Sequence, residues 1–224
     1  MTPTVRLQDA LLSLGPIACW PLTETAGGLS QDIVRSSHGT RTNGPLAGPG
    51  PCSDGTPAMW SVSASNQYSL VGNVALLRPA NVTLLAWVCP NASAADKGVA
   101  GVANTGFNGY NLRIDSGAPK WRVGDGSATV ATETGPTILT DSTRWYFIAG
   151  THDGANIALY IDGDYYAGRA AAYPIGYGAT TNFYLNQWDG NSTRAGAGGL
   201  AWVTVYNRAL TRGDIKAIAH AWRG

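Results

Sequence analysis

From Arg144 onward the chain runs in short segments that alternate large apolar with small residues, each closed by a turn. Arg144–Thr151 (RWYFIAGT) meets Asp153-Gly154, Asn156–Ile161 (NIALYI) meets Asp162-Gly163, and Gly199–Tyr206 (GLAWVTVY) follows a polar loop. Alternation with period two marks a strand with one buried face. Asp-Gly between two such runs predicts a hairpin, because both central residues must reach positive φ. The same reading predicts further strands at Ile17–Leu22, Ala58–Ser63, Gln67–Val71, Asn81–Cys89, Gly98–Asn104, Tyr110–Asp115, Lys120–Val123, Thr129–Thr132 and Phe183–Gln187. So many short strands with turn signals imply an all-β fold, a two-sheet antiparallel jelly-roll sandwich.

Two helices are expected at the ends. Leu7, Leu11, Leu12 and Leu14 approach helical spacing before Gly15-Pro16, so residues 1–16 form a short N-terminal helix or a docked arm. Thr211 and Asp214 fit an N-cap with an acidic third residue, opening a helix over 211–222 whose apolar face is Ile215, Ile218, Ala219 and Trp222. Between them, Thr23–Asp54 reads as a long loop rich in Gly, Ser, Thr and Pro. No repeat and no linker divides the chain, so residues 1–224 are expected to make one domain.

Charge and composition remove several functions. The net charge is +1 with Lys and Arg scattered, which offers no electrostatic footprint for nucleic acid. No apolar run approaches the length of a membrane span. The N-terminal sequence lacks a basic region followed by an apolar core, so no cleaved secretory signal is expected. Cys19, Cys52 and Cys89 read as reduced thiols, two of them buried.

A glycosidase of this architecture needs two carboxylates aimed into one cleft. The two glutamates, Glu24 and Glu133, lie far apart, and neither has an acidic residue two or three positions away. Asp162 and Asp164 straddle a hairpin turn and read as turn chemistry. His38, His152 and His220 fall in unrelated contexts, and no zinc or nucleophile motif is present. A non-enzyme is expected.

A binding surface remains. Asn186, Trp188, Asp189 and Asn191 offer an aromatic ring beside amide and carboxylate groups, the combination that sugar recognition uses. The alternative for Trp188 is a lid folded under its own loop. Asn111 and Asp115, with Asn108 near Phe107 and Tyr110, form a second polar group, or else a solvated hairpin face. Tyr165, Tyr166, Tyr173 and Tyr177 lie in a Gly/Ala/Pro-rich stretch and read as an aromatic patch for protein contacts. Trp20, Trp87, Trp145 and Trp202 read as core.

Four segments together resemble the concanavalin A-like lectin/glucanase superfamily, and within it the laminin-G-like or pentraxin-like domains. They are Ala18–Leu22 (ACWPL) with Glu24, Gly27 and Asp32; Val82–Val88 (VTLLAWV); Trp145–Gly163; and Leu200–Leu210 (LAWVTVYNRAL) with Thr211–Ile215. The opening LSLGPIACWPLTETAG also resembles laminin-G-like domains carried by tailed-phage structural proteins. The resemblance implies a lectin-like binding fold. It points to a virion surface component, a capsid decoration or minor tail protein made in the host cytoplasm. Its partners would be viral capsid or tail proteins, and it could self-associate. The alternative is a carbohydrate-binding module for cell-surface glycans; a glycoside hydrolase has the carboxylate count against it. The chain departs from the family at Ala201, where an acidic residue is common, and at Asn186, where glycine usually ends the preceding strand. No metal site is therefore assigned. Calcium stays open only through Asp189 with Asn191 or Asp115 with Asn111.

Overall fold

The computed structural model describes residues 2–62, 65–91, 96–103, 108–179 and 181–222. In chain order, α1 (Pro3–Leu12) leads to β1 (Ala18–Trp20), β2 (Leu29–Ser30), β3 (Gly39–Thr42), β4 (Leu46–Pro49), β5 (Pro57–Ser61) and β6 (Tyr68–Gly72). The middle holds β7 (Val82–Pro90), β8 (Lys97–Ala103), β9 (Gly109–Asp115), β10 (Ala118–Gly124) and β11 (Val130–Thr134). The last third holds β12 (Tyr146–His152), β13 (Asn156–Ile161), β14 (Asp164–Ala170), β15 (Phe183–Leu185), β16 (Gly198–Tyr206) and α2 (Arg212–Ala221).

These strands form two antiparallel sheets. The first runs β14-β13-β12-β7-β16-β5-β4, with β1 paired to β16; the second runs β11-β10-β9-β8-β15-β6-β3-β2. The sandwich expectation holds. The stretch Thr23–Asp54 differs: it contributes β2 and β4 as edge strands and β3 beside β2, rather than one loop. It is pinned by Asp32, whose carboxylate accepts from the Cys19, Val34 and Ser37 amides, and by Arg41, which pairs with Glu24 at 2.6 Å. Few apolar anchors were visible there because polar side chains do the holding.

Apolar residues pack in two layers. Between the sheets lie Trp20, Leu84, Tyr110, Leu112, Trp121, Ile148, Leu159, Phe183, Leu185 and Val203. Trp121 of the second sheet lies flat on Gly150 of the first, and its indole donates to the Thr151 carbonyl at 2.9 Å. A second layer covers the far side of the first sheet, where Leu85, Trp87, Phe147 and Tyr206 meet Leu7 and Leu11 of α1 and Ile215, Ile218 and Ala219 of α2. Hence β7, β12 and β16 are buried along their whole length.

The helix ends follow their sequence cues. The Thr211 hydroxyl accepts from the Asp214 amide while the Asp214 carboxylate accepts from the Thr211 amide, a complete capping box. α1 is a helix, capped by Thr2, and is docked on the first sheet, where the Tyr206 hydroxyl donates to the Leu11 carbonyl.

Only one Asp-Gly turn has the expected geometry. Asp162 and Gly163 both have positive φ, at 53° and 92°. At the other turn Gly154 alone does, at 93°, because the Asp153 carboxylate accepts from the Ala155 and Asn156 amides and holds a wider loop. All three cysteines are free and buried, Cys52 included.

Candidate functional site

The far side of the first sheet is covered by α1 and α2; among the described residues, no α-helix packs on the outer face of the second sheet. Tyr110, Leu112 and Ile114 of β9 and Trp121 and Val123 of β10 point into the core. Strand alternation therefore sends Asn111, Arg113 and Asp115, with Lys120 and Arg122, outward. Register aligns one row across the face: Thr132, Arg122, Asn111, Gly101, Tyr184 and Leu70 on neighbouring strands. Gly101 is the low point of this row. A side chain there would bring its Cβ to 2.6 Å from that of Asn111.

The polar loop after β15 folds back over this face. It starts at Asn186, whose φ of 63° turns the strand sharply. The Asn186 amide donates to Ser61 Oγ at 2.8 Å and to the Gln67 carbonyl at 2.7 Å. Buried and saturated, Asn186 positions the loop and is not the ligand contact that its neighbours suggested. The loop then passes directly over Gly98, where any Cβ would strike the Gln187 backbone.

Trp188 also departs from the expected sugar platform. It is 1% exposed, and guanidiniums surround its ring: Arg194 at 4.7 Å, Arg113 at 5.4 Å and Arg122 at 5.9 Å from the centroid. The lid alternative is the one realised: the ring is buried against these three guanidiniums. Asp189 is fully buried at its side chain and pairs with Arg194, while its other oxygen accepts from the Asn191 amide. Asn191 is exposed and caps a short 3₁₀ turn through Thr193.

The two polar groups read from the sequence thus meet on one sheet face, joined through Arg113 and Arg122. Asp96 links the arginines, at 2.9 Å from Arg113 and 3.8 Å from Arg194. Asp115 pairs with Lys120 at 2.6 Å, and this hydrogen bond holds its carboxyl below the usual range. Arg122 is shifted down by burial, with repulsion from Arg113 and Arg194 adding to it. Lys97 is shifted down by burial, and its ammonium donates to the Thr193 carbonyl at 2.8 Å. Among the described residues, the buried atoms Asn111 Oδ1, Arg113 Nε, Gln187 Oε1 and Trp188 Nε1 have no hydrogen-bond partner.

Sequence reasoning missed Arg113, Arg122, Arg194 and Tyr184. The arginines looked scattered because they are far apart in the chain; only strand pairing gathers them. Tyr184 carried a signal, since it stands between the inward-facing Phe183 and Leu185 of a recognised strand. It is half-buried, edge-on to Tyr68 at 5.9 Å. Phe107, expected near the second polar group, lies outside the described residues.

The tyrosine patch divides. Tyr165 and Tyr166 are exposed, at 42% and 48%, on the edge strand β14. Tyr173 and Tyr177 are instead packed against the core. Their hydroxyls donate to the carbonyls of Val123 and Pro79, which anchors both rings to the fold. Tyr165 borders a cleft of about 460 Å³ that also includes Tyr160, Asn156 and Arg212. Its ring is covered by the Arg212 guanidinium, 4.0 Å from the centroid.

The calcium possibility does not fit these residues. Asp189 is committed to Arg194 and Asp115 to Lys120, and among the described residues no group of three His, Cys, Asp or Glu side chains is placed to hold a metal. A calcium site needs six to eight oxygens.

A laminin-G-type family model of the concanavalin A-like lectin/glucanases superfamily matches residues 63–216. No curated protein sequence matches the chain. Among solved structures, the chain is similar to the binding domain of Paraclostridial Mosquitocidal Protein 1, with a TM-score of 0.73 and 15% identity over 92% of this chain and 52% of that one. It is similar to domain 4 of AbnA, a GH43 extracellular arabinanase from Geobacillus stearothermophilus solved with arabinotriose. There the TM-score is 0.66 and identity 16%, over 91% of this chain and 98% of that one. It is also similar to the receptor-binding domain of a botulinum neurotoxin mosaic serotype C/D, at 0.67 and 15%, over 92% of this chain and 50% of that one. The chain therefore spans about half the length of the two toxin domains.

Proposed function

The chain belongs to the concanavalin A-like lectin/glucanases superfamily, and from that premise we propose that it is a non-catalytic, glycan-binding module. The observation that carries this reading is the asymmetry of the sandwich: one sheet is sealed by α1 and α2, and the outer face of the other carries polar residues instead, with Arg122, Asn111 and the half-buried Tyr184 aligned across neighbouring strands. Tyr184 supplies the aromatic contact in place of the buried Trp188, and amides beside it supply directional hydrogen bonds. On this face the outward carboxylate of β9 is tied to Lys120, which leaves no second free acid beside it to run glycoside hydrolysis. The arabinotriose complex of AbnA domain 4 supports a saccharide ligand for a domain of this shape.

A glycan array with the parent and a Tyr184→Ala variant tests the reading. Binding that is retained by a folded Tyr184→Ala protein refutes the face, and an array with no ligand refutes the function.

A second reading concerns the carrier. The resemblance of the opening LSLGPIACWPLTETAG to phage laminin-G-like domains supports a place on a virion, as capsid decoration or tail component, with Tyr165 and Tyr166 on the exposed edge of β14 as the contact to viral protein or to a second copy. Quantitative mass spectrometry of purified particles checks it. A copy number in fixed ratio to the capsid subunit indicates decoration, a few copies indicate the tail, and absence removes the virion role.

A further inference from the structure

We propose that the first sheet carries a second saccharide site, a cleft at its β13–β14 corner that takes one or two rings of a neutral sugar. This site is separate from the face on the second sheet and stands without it.

The cover that α1 and α2 lay on the first sheet stops short of this corner. β14 is the edge strand and is exposed along almost its whole length. Beside it opens the cleft of about 460 Å³, whose lining also includes Leu210 and Arg212 at the entry to α2. Sites for small molecules run from roughly 300 to 1,000 Å³, so the space suits a mono- or disaccharide.

Register explains why the space exists. Thr151 of β12 pairs with Ala158 of β13, and Ala158 pairs with Gly168 of β14. Alternation puts Ala158 on the same outer face as Tyr160, which packs into the layer beneath the helices. Three small residues in one row leave a depression that larger side chains would fill. Tyr160 and Tyr165 stand beside it as a pair, edge to face at 5.8 Å, and give it a wall of aromatic carbon. A Cβ at Gly168 would fall 2.9 Å from the Tyr165 hydroxyl, so the glycine lets that hydroxyl reach the floor.

The lining selects a neutral, hydroxyl-rich ligand. Its charged side chains are Asp153, Arg169 and Arg212. Arg169 is paired with Glu133 at 2.5 Å, and the other two are opposite in sign, so the cleft gathers neither anions nor cations. Arg212 is exposed; it stacks on Tyr165 at 4.0 Å from the ring centroid and also bonds to the Tyr160 side chain. Stacking engages the face of a guanidinium, whose several N–H donors lie in its plane and remain able to reach a ligand. Asn156, exposed at the start of β13, offers a donor and an acceptor on one amide. The Asp153 carboxylate is held by the Ala155 and Asn156 amides of its own turn, so it shapes the rim. A sugar uses all of this: its hydroxyls both donate and accept, and its C–H faces pack on Tyr165 and Ala158. An ion or a purely apolar ligand uses only part of it.

So small a polar ligand is expected to bind with a dissociation constant of about 1 mM, and to leave within about a millisecond. Such a complex does not survive the washing of a glycan array, so the test of the second sheet and the test of the cleft stay separate. The experiment is amide-detected NMR of the full chain, titrated with glucose, galactose, mannose and N-acetylglucosamine and with cellobiose, lactose and maltose. At least one sugar should give saturable shifts at Asn156, Ala158 and Gly168. Ala158→Leu, which fills the floor, should weaken that sugar tenfold or more, and Arg212→Gln several-fold, with the thermal midpoint showing that both variants are folded. Tyr184→Ala should leave these shifts unchanged. Glucuronate and glucosamine check the charge class: a tenfold preference for either over glucose overturns the neutral assignment. Shifts confined to β9 and β15, or binding indifferent to both cleft substitutions, overturn the site and leave the second-sheet reading standing. Absence of shifts with every sugar also overturns the site, while the array still decides the second sheet.

Discussion

Replacing Trp188 with alanine separates a lid from a sugar platform. An exposed platform ring contributes little to stability, and its loss changes the unfolding free energy by about 0.5 kcal/mol or less. Trp188 is 1% exposed. A buried Trp covers roughly 150–250 Å² of surface, worth about 4–6 kcal/mol at ~25 cal/mol per Å². Measured truncations of buried aromatic residues to alanine fall at about 3–5 kcal/mol. The contacts with Arg113, Arg122 and Arg194 push the cost upward. Removing the ring also leaves those cations facing each other without an aromatic face between them. Against this, the site lies in a surface loop that can close over part of the gap. A loss of about 3 kcal/mol is expected. For a chain of this size it lowers the thermal midpoint by roughly 6–12 °C. Trp188→Phe keeps an aromatic face for the arginines and should recover about half of the loss. The assay is urea unfolding followed by circular dichroism, paired with a thermal scan. A Trp188→Ala midpoint within about 2 °C of the parent refutes the lid argument.

Other expectations follow from single contacts. Gly150→Ala drives a methyl group into the fully buried ring of Trp121 and should cost about 2–3 kcal/mol, read by the same unfolding assay. Burial pushes the Cys19 thiol up to about 12 and Cys89 up to about 11, so the native protein should resist maleimide labelling at pH 8 and take three labels once unfolded. Because these folded-state values are raised, the unfolded chain ionises first, and stability should fall as pH climbs from about 9 toward 12; a flat midpoint across that window contradicts the burial. Asp115 is shifted the other way by Lys120. Its contribution is present above the ordinary carboxylate range and is lost as pH falls through the lowered folded value, so Lys120→Met should flatten part of the acid limb of the stability curve.

Legibility of the fold tracked the range of the forces involved. Strands β7, β12, β13 and β16 and the capping box of α2 were readable because periodicity and capping act over a few residues. The strands inside Thr23–Asp54 were hidden because their anchors are the buried Asp32 carboxylate and the Arg41–Glu24 pair, which leave no apolar pattern. At the site, Asn111, Asp115, Asp189 and Asn191 were found by residue type, but their association was not. It depends on a register that brings Arg122 beside Asn111 and on a loop passing over Gly98. The sequence left Trp188 between platform and lid for the same reason: exposure of a loop aromatic is decided by residues from β9 and β10 that no local window contains.

The two ends of the chain decide which sheet is sealed by apolar residues and which is not. A sheet buried on one side needs polar residues on the other, and that polar side is where recognition chemistry can be placed. Here α1 and α2 seal the first sheet, so Leu85, Trp87, Phe147 and Tyr206 face apolar neighbours instead of water. With that side committed to stability, the outward positions of β9 and β10 are free to carry Asn111, Arg113, Lys120 and Arg122. An acid pair at those positions would suit hydrolysis, whereas amides and cations offer hydrogen bonds to a polar group. The choice between catalysis and binding on this scaffold comes down to the residue types at a few outward positions. In this chain they are amide and cation, with the one outward acid of β9 held by Lys120.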